Sequence, residues 1–420
     1  MAAPPPPSRR RPASLEDLSF DTQRMILIRI PCAVDRGRMS LVCRAWRKVI
    51  RHQRSELEGA LLPLPPPLPW LLLRAPFPVG LGSTRAACVL SGGRVHHYLG
   101  VAPPDARCFG SHDGAWLLLD ARHPHAGAHQ AINVHTGAVL DLPRVLGRQT
   151  DAYVHSMVIH AAALSSSPED ARCVGAAIVT SWRDPAPGAA PPPRRRCIAF
   201  WRRGWPTVFD YVPPGDGDIA FDAEDVIYLR HSGAFAFVTR GEHLRRFTPH
   251  RQLNSMMAPY WETDLFRTTE RIGVRARYLV VSGGELLMVV RFTPHPDHQP
   301  ASKFKVFRVI KRNEADVDAD FPVAQYRWSW SELNTLGDRM LFVGHGCSRS
   351  YKANQYPGFE AGIYFLDDGT FYDDAVIFGN GDVTRYPCSD NGKWTEDGHV
   401  QHCFTRSDPS DHSAPVWLLP

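Results

Sequence analysis

Residues 278–290 read YLVVSGGELLMVV, and this stretch decides the fold. Tyr278-Leu279-Val280-Val281 has the length and composition of a strand, and Leu286-Leu287-Met288-Val289 is a second. Between them Ser282-Gly283-Gly284 supplies residues that tolerate positive φ, so the spacing predicts a tight antiparallel hairpin.

The same signature recurs on both sides. Ala87-Cys88-Val89-Leu90 leads through Ser91-Gly92-Gly93 to Val95-His96-His97-Tyr98. Trp116–Leu119 is followed by Ala131–Val134, Thr136-Gly137 and Val139-Leu140, and Val226–Leu229 turns at Ser232-Gly233 into Phe235–Val238. Ile363–Leu366 is expected to turn at Asp367-Asp368-Gly369 and resume near Phe371. So many hairpins over about 350 residues exceed what one sandwich normally absorbs. A propeller takes them, because radial repetition leaves only short protected edges. The repeat is too irregular to give a blade count. Trp116, Trp201, Trp205, Trp328 and Trp330 lie in or beside strand runs, where aromatics mostly fill the space between sheets.

Two loops interrupt the β pattern. Residues 184–196 (DPAPGAAPPPRRR) read as a disordered insertion, and 294–302 as a shorter one. Upstream, all five prolines of Leu61–Leu73 fall in 61–69, so that run cannot be a spanning helix; 61–69 reads as a semi-stiff linker, with Trp70 opening the β domain.

Before the linker the period changes. Leu18, Ile26 and Ile30 recur at helical spacing up to Pro31, and Met39, Val42, Cys43 and Trp46 recur at three- and four-residue steps beyond it. So short a helical set has little core of its own, and its apolar face suits a partner.

Composition places these units in context. Of 420 residues 44% are hydrophobic and 22% charged, as in soluble globular chains. The net charge of +5 is local: Met1–Ala60 holds twelve Lys or Arg against six Asp or Glu, leaving the other 360 residues at −1. The β domain thus lacks a broad phosphate-binding surface, and no nucleic-acid partner is expected. Nine cysteines without framework spacing fit a reducing compartment, and MAAPPPPSRRRPAS lacks the apolar region of a secretory signal. The expectation is cytoplasm or nucleus, with no membrane association.

Searches for chemistry return two weak constellations. Gly344-His345-Gly346-Cys347-Ser348 sets an imidazole two residues from a thiol, on one face if the segment is a strand. A glycine-rich turn is the stronger reading. Cys388, His399, His402 and Cys403 offer zinc-type ligands, but the adjacent His402-Cys403 pair lacks the usual gap. No P-loop, Rossmann, metalloprotease or nucleophile-elbow motif occurs. No catalytic residue, metal or cofactor is expected.

Two resemblances cover nearly the whole chain. Leu18-Ser19, Asp21, Ile26, Ile30-Pro31, Asp35-Arg36 and Val42-Cys43-Arg44-Ala45-Trp46-Arg47 resemble an F-box, with Ser19 in place of the usual proline and Thr22 and Gln23 where apolar residues are common. From Trp70 onward the chain resembles the plant KIB-type propeller that often follows an F-box. The segments that carry this are Gly110–Leu119, Asn133–Gly137, Cys197–Arg202, Glu224–Tyr228, Leu336–Gly344, Tyr356–Gly358 and Ile363–Asp368.

The expected architecture is multidomain: a disordered tail (1–13), a small all-α F-box domain (14–60), the linker (61–69) and a large all-β propeller (70–420). The resemblance implies a non-catalytic substrate-recognition subunit of an SCF-type ubiquitin ligase. Its helices would bind a Skp-type adaptor, and through it a cullin, while the propeller captures a protein substrate. Leu18, Ile26, Ile30, Pro31, Val42 and Trp46 are the expected builders of the adaptor-binding face. The alternatives are a scaffold or a small-molecule-binding propeller with a weakened F-box.

Overall fold

The structure is a computed structural model. It describes residues 18–30, 32–55, 69–74, 84–88, 95–99, 103, 105–121, 128–147, 154–182, 195–203, 207–211, 222–249, 261–267, 271–293, 303–315, 318–356, 358–369, 371, 386–403 and 409–420. The chain divides into two compact units, one running to Leu68 and one beginning at Pro69. The tail at 1–13, Pro31, Trp205, residues 184–194 of the first expected insertion and all of the second lie outside the described residues.

Three short helices form the first unit: α1 (Phe20–Leu27), α2 (Ala33–Met39) and α3 (Arg44–Ser55). The first is shorter than its apolar spacing suggests, so Leu18 and Ile30 flank it instead of sharing its face. Ser19 sets the start, since its Oγ accepts the Thr22 N–H at 3.2 Å and caps the helix. Likewise Met39 ends one helix and Trp46 lies in the next, so the 39–46 pattern spans a turn that carries Val42 out to solvent. Leu27, Trp46, Val49 and Ile50 form a small core, with Phe20, Ile26, Met39 and Cys43 packed against it. Gln23 is buried at a position where an apolar residue is usual.

The second unit is an all-β propeller of six sheets. The third sheet (145–211) is drawn into a closed ring by the parallel pairing of Thr207–Tyr211 with Val145–Gly147. The chain closes on itself in the first sheet. There Val416–Leu418 pairs antiparallel with Trp70–Arg74, setting Leu71 opposite Trp417. The strands lining the centre follow one another around the axis: Val416–Leu418, Arg107–His112, Val154–Leu164, Ala223–Leu229, Val274–Ser282 and Arg349–Lys352.

Apolar side chains fill the spaces between neighbouring blades. Trp116 and Trp201 belong to the cluster joining the second and third blades. Trp330 stacks on Phe266 at 4.7 Å within the cluster of the fourth and fifth blades, and Trp328 packs against it. At the closure, Trp417 meets Phe342 edge-on at 5.1 Å, and its indole N–H donates to the Val343 carbonyl.

The hairpin at 278–290 forms as its residues predict, with Gly283 and Gly284 at φ +59° and +86° in the turn. Two expectations are corrected. Arg195 and Arg196 belong to the strand Arg195–Arg202 and not to the insertion. Ile363–Phe365 pairs with Gly392–Trp394 and not with a strand resuming at Phe371. The cause is local: Asp367 Oδ2 accepts the Ser389 and Asp390 N–H groups at 3.1 and 3.0 Å, and Asn391 Oδ1 accepts the Asp367 N–H at 2.8 Å. What reads as a hairpin tip is a clamp onto a segment more than twenty residues downstream.

Candidate functional site

Around the axis, charged residues embedded in apolar strands meet across blades. Asp225, fully buried, accepts three backbone N–H groups: Val226 (2.8 Å) beside it, Leu279 (2.7 Å) in the fifth blade and Gly346 (2.7 Å) in the sixth. Burial pushes its carboxyl up to about 7, while the three N–H groups pull the other way. Gly346 can approach so closely because it has no Cβ. At its φ of +73°, a Cβ would lie 2.7 Å from the Ala162 carbonyl oxygen.

Arg291, wholly buried, donates to the Leu366 carbonyl (2.6 Å), Asp390 (2.6 Å) and Asp368 (3.3 Å). Tyr278 donates its hydroxyl to Asp368 at 2.8 Å. Arg277 bridges Glu224 and Glu242 at 3.0 and 3.2 Å. These bonds tie the fourth, fifth and sixth blades together with groups that burial would otherwise penalise.

The axis opens at each end. Toward the strand C-termini lies a groove of about 430 Å³, whose lining includes His112, Tyr228, Arg230, Arg349 and Tyr351. On its rim Asp113 accepts from Arg230 at 2.7 Å and from Arg349, which come from two other blades. His112, whose Nε2 lies 3.2 Å from the Asp113 carboxylate, and then Arg349 hold that carboxyl well below the usual range against the opposing effect of burial. Tyr351 and Arg349 donate to the Pro420 carbonyl at 2.7 and 3.0 Å. The charged groups of this rim come from three blades.

At the opposite end a cavity of about 70 Å³ is lined by Arg107, His160, His345, Asp368 and Tyr386 among others. Cys347 lines both openings. His345 and Cys347 are thus both at the axis, yet their electrostatics oppose nucleophilic chemistry. Burial pushes the thiol up to about 12 and the imidazole down to about 4, the reverse of a thiolate–imidazolium pair. His345 also stacks on Phe371 at 3.6 Å.

Among the described residues no three His, Cys, Asp or Glu side chains gather as a metal-holding group, so Cys388, His399, His402 and Cys403 do not converge. Burial also pushes Cys388 up to about 11.

The residues expected to face an adaptor occupy different environments. Trp46 is 2% exposed and anchors the helical core, Ile26 packs against that core, and Leu18 and Ile30 are half-buried. Val42 is 68% exposed, and its neighbour Leu41, absent from the sequence expectation, is 74% exposed. Along α3, Arg44, Arg47, Lys48 and Arg51 are exposed. Among the described residues, no helix is long and apolar enough to cross a membrane.

Sequence reasoning missed Arg107, Asp113, His160, Arg230, Asp225, Arg291 and Arg349 as site residues. A signal existed for three of them: Arg107, Asp225 and Arg291 are charges set in apolar or glycine-rich strands, where an unpaired charge would be costly.

No curated protein matches the chain. TolB from Acinetobacter baumannii aligns at a TM-score of 0.38 and 11% identity, covering 84% of this chain and 66% of that one. Exo-inulinase from Aspergillus awamori aligns at 0.25 and 14% identity, covering 56% and 52%. The chain therefore spans less than two thirds of either structure, and likenesses this distant carry no argument. A model of the KIB1-4 β-propeller matches residues 90–387, more than two thirds of the chain. On that match, and with six sheets closed around one axis, the chain belongs to the KIB1-4 β-propeller family.

Proposed function

We propose that this chain is a substrate-recognition subunit of an SCF-type, cullin-RING ubiquitin ligase. Its helical unit is an F-box that binds a Skp-type adaptor, and its propeller binds a protein substrate. The observation that carries the reading is the contrast within the helical unit: Trp46 is 2% exposed, whereas Val42 and Leu41 are 68% and 74% exposed. Adjacent apolar side chains held out on a turn, above a core that includes the nearby Trp46, are suited to burial against a partner.

The chain contributes proximity and not chemistry. Holding a substrate lysine near a charged conjugating enzyme turns a bimolecular transfer into an effectively local one. The buried, protonated Cys347 and neutral His345 support a non-catalytic role. The groove lined in part by Tyr228, Arg230, Arg349 and Tyr351 is the substrate-binding mouth in this reading. The complex works in cytoplasm or nucleus.

The test is co-purification of the tagged chain with a plant Skp-type adaptor beside a deletion of Met1–Ala60. Binding by the intact chain and none by the deletion is the expected result. Binding by neither form overturns the F-box reading and favours a propeller scaffold.

A further inference from the structure

The small cavity on the axis holds a group of polar atoms that nothing described in the protein satisfies. Arg107, His160 and Tyr386 are 5%, 5% and 4% exposed and all line it. Arg107 Nε, His160 Nδ1 and the Tyr386 hydroxyl have no hydrogen-bond partner among the described residues. Their other atoms are well placed: Arg107 Nη2 donates to the Ile159 carbonyl at 2.5 Å, and His160 Nε2 shares a proton with Thr180 Oγ1 at 2.6 Å. Arg107 and His160 are thus held in place, and each of the three side chains keeps one unmet group. A buried polar group left unmet costs stability, so the fold gains from a molecule that answers all three.

The volume and the charge say what kind. About 70 Å³ is several times the roughly 10–15 Å³ that one water needs, so a multi-atom guest has room. Arg107 is a buried cation whose carboxylate partner, Asp120, stands 3.9 Å away and is not among the lining residues. The carboxylate that does line the cavity, Asp368, is already engaged by Arg291 and Tyr278. Positive neighbours act on the imidazole as well: Arg196 and Arg107 add to burial in holding His160 well below its ordinary value. With the Thr180 hydroxyl donating to His160 Nε2, the neutral ring carries its proton on Nδ1, and that N–H, the guanidinium and the phenol together match the several acceptors of an oxyanion better than they match water.

We infer that the axial cavity lined by Arg107, His160 and Tyr386 is a binding site for a small oxyanion, a carboxylate or a phosphoryl group. The site lies at the opposite end of the axis from the groove assigned to the protein substrate and is independent of that assignment.

Thermal unfolding of the full chain tests it, with inorganic phosphate or formate titrated against chloride at constant ionic strength. The site predicts a saturable rise in Tm with at least one of them, since a ligand that binds only the folded state stabilises by mass action. A response to phosphate alone identifies a phosphoryl ligand, and one to formate alone a carboxylate. Tyr386→Phe removes one oxygen and keeps the ring. It should weaken the apparent affinity about tenfold, as loss of one hydrogen bond to a charged group does. Arg107→Gln should abolish the response. Arg172→Gln, on a side chain 89% exposed, should leave it unchanged. An unsaturable drift with either salt, or an unaltered affinity in Tyr386→Phe, overturns the site and leaves ordered water as the occupant.

Discussion

In the propeller, Leu279, Val280, Met288 and Val289 are wholly buried between blades, whereas in the helical unit Leu41 and Val42 stand 74% and 68% exposed. The charges are arranged the opposite way. The helical unit displays Arg44, Arg47, Lys48 and Arg51 to solvent, while the propeller folds Asp225, Arg277 and Arg291 into its axis. Among the described residues of the helical unit, the core cluster holds four buried apolar side chains, and Leu41 and Val42 lie outside it. A ring of six sheets can seal its apolar surface between blades and still hold charges, provided each is paired. The helical unit thus leaves adjacent apolar side chains in solvent, whereas the propeller seals its own between blades.

The sharpest way to break the contrast is Arg291→Ala. It leaves Asp368 and Asp390 without their shared cation, and breaking a buried pair in this way costs about 3–5 kcal/mol. Urea unfolding followed by intrinsic fluorescence should show that loss, and a change under 1 kcal/mol would mean the axis does not depend on the pairing. Trp46→Ala should cost a similar 3–5 kcal/mol through cavity and transfer terms, but inside the helical unit alone. Hydrogen exchange should then rise across residues 20–55 and stay unchanged in the propeller strands. Exchange rising throughout would contradict a cost confined to the helical unit.

Acidity separates two buried groups of opposite sign. His345 is held down to about 4, so between pH 6.5 and 4 the unfolded chain takes up a proton that the folded one does not. Stability from this group is present above pH 6.5 and lost as pH falls, by about 3 kcal/mol at pH 4. Asp225 is held up to about 7, so between pH 4 and 7 the folded chain keeps a proton that the unfolded one has released. Its contribution is largest in acid and lost as pH rises, by about 4 kcal/mol at pH 7. Relative to the wild type, Asp225→Asn should therefore lose stability more steeply on going from pH 7 to 4.5, and His345→Gln less steeply. Parallel urea midpoints for all three proteins would refute the assignment.

The contrast also explains which parts could be read from the sequence. Hairpins were legible because their signals are local: Ser282-Gly283-Gly284 and Ser232-Gly233 stand between apolar runs and form the turns they suggest. The closing strand was not, since Val416–Leu418 is three residues long and finds Trp70–Arg74 at the far end of the propeller. Strands from two to eleven residues long also hid the six-fold repeat. Asp367-Asp368-Gly369 misled because turn-forming residues there serve a clamp onto 389–391. Of the six residues assigned to the adaptor face, apolar spacing alone could not separate Trp46, which builds the core, from Val42, which leaves it. Leu41 was missed because it is apolar and off the helical period, and only the turn between α2 and α3 reveals its exposure.

The smallest change in stability accompanies the most direct test. Leu41→Ser with Val42→Ser alters exposed side chains, so the unfolding free energy should stay within about 0.5 kcal/mol of the wild type. Titration of a Skp-type adaptor into the intact chain and into this double variant measures what that surface does. An affinity at least tenfold weaker, with unchanged unfolding, is the predicted result. Equal affinity for the two proteins would contradict the claim that the helical unit is completed by a partner at this turn.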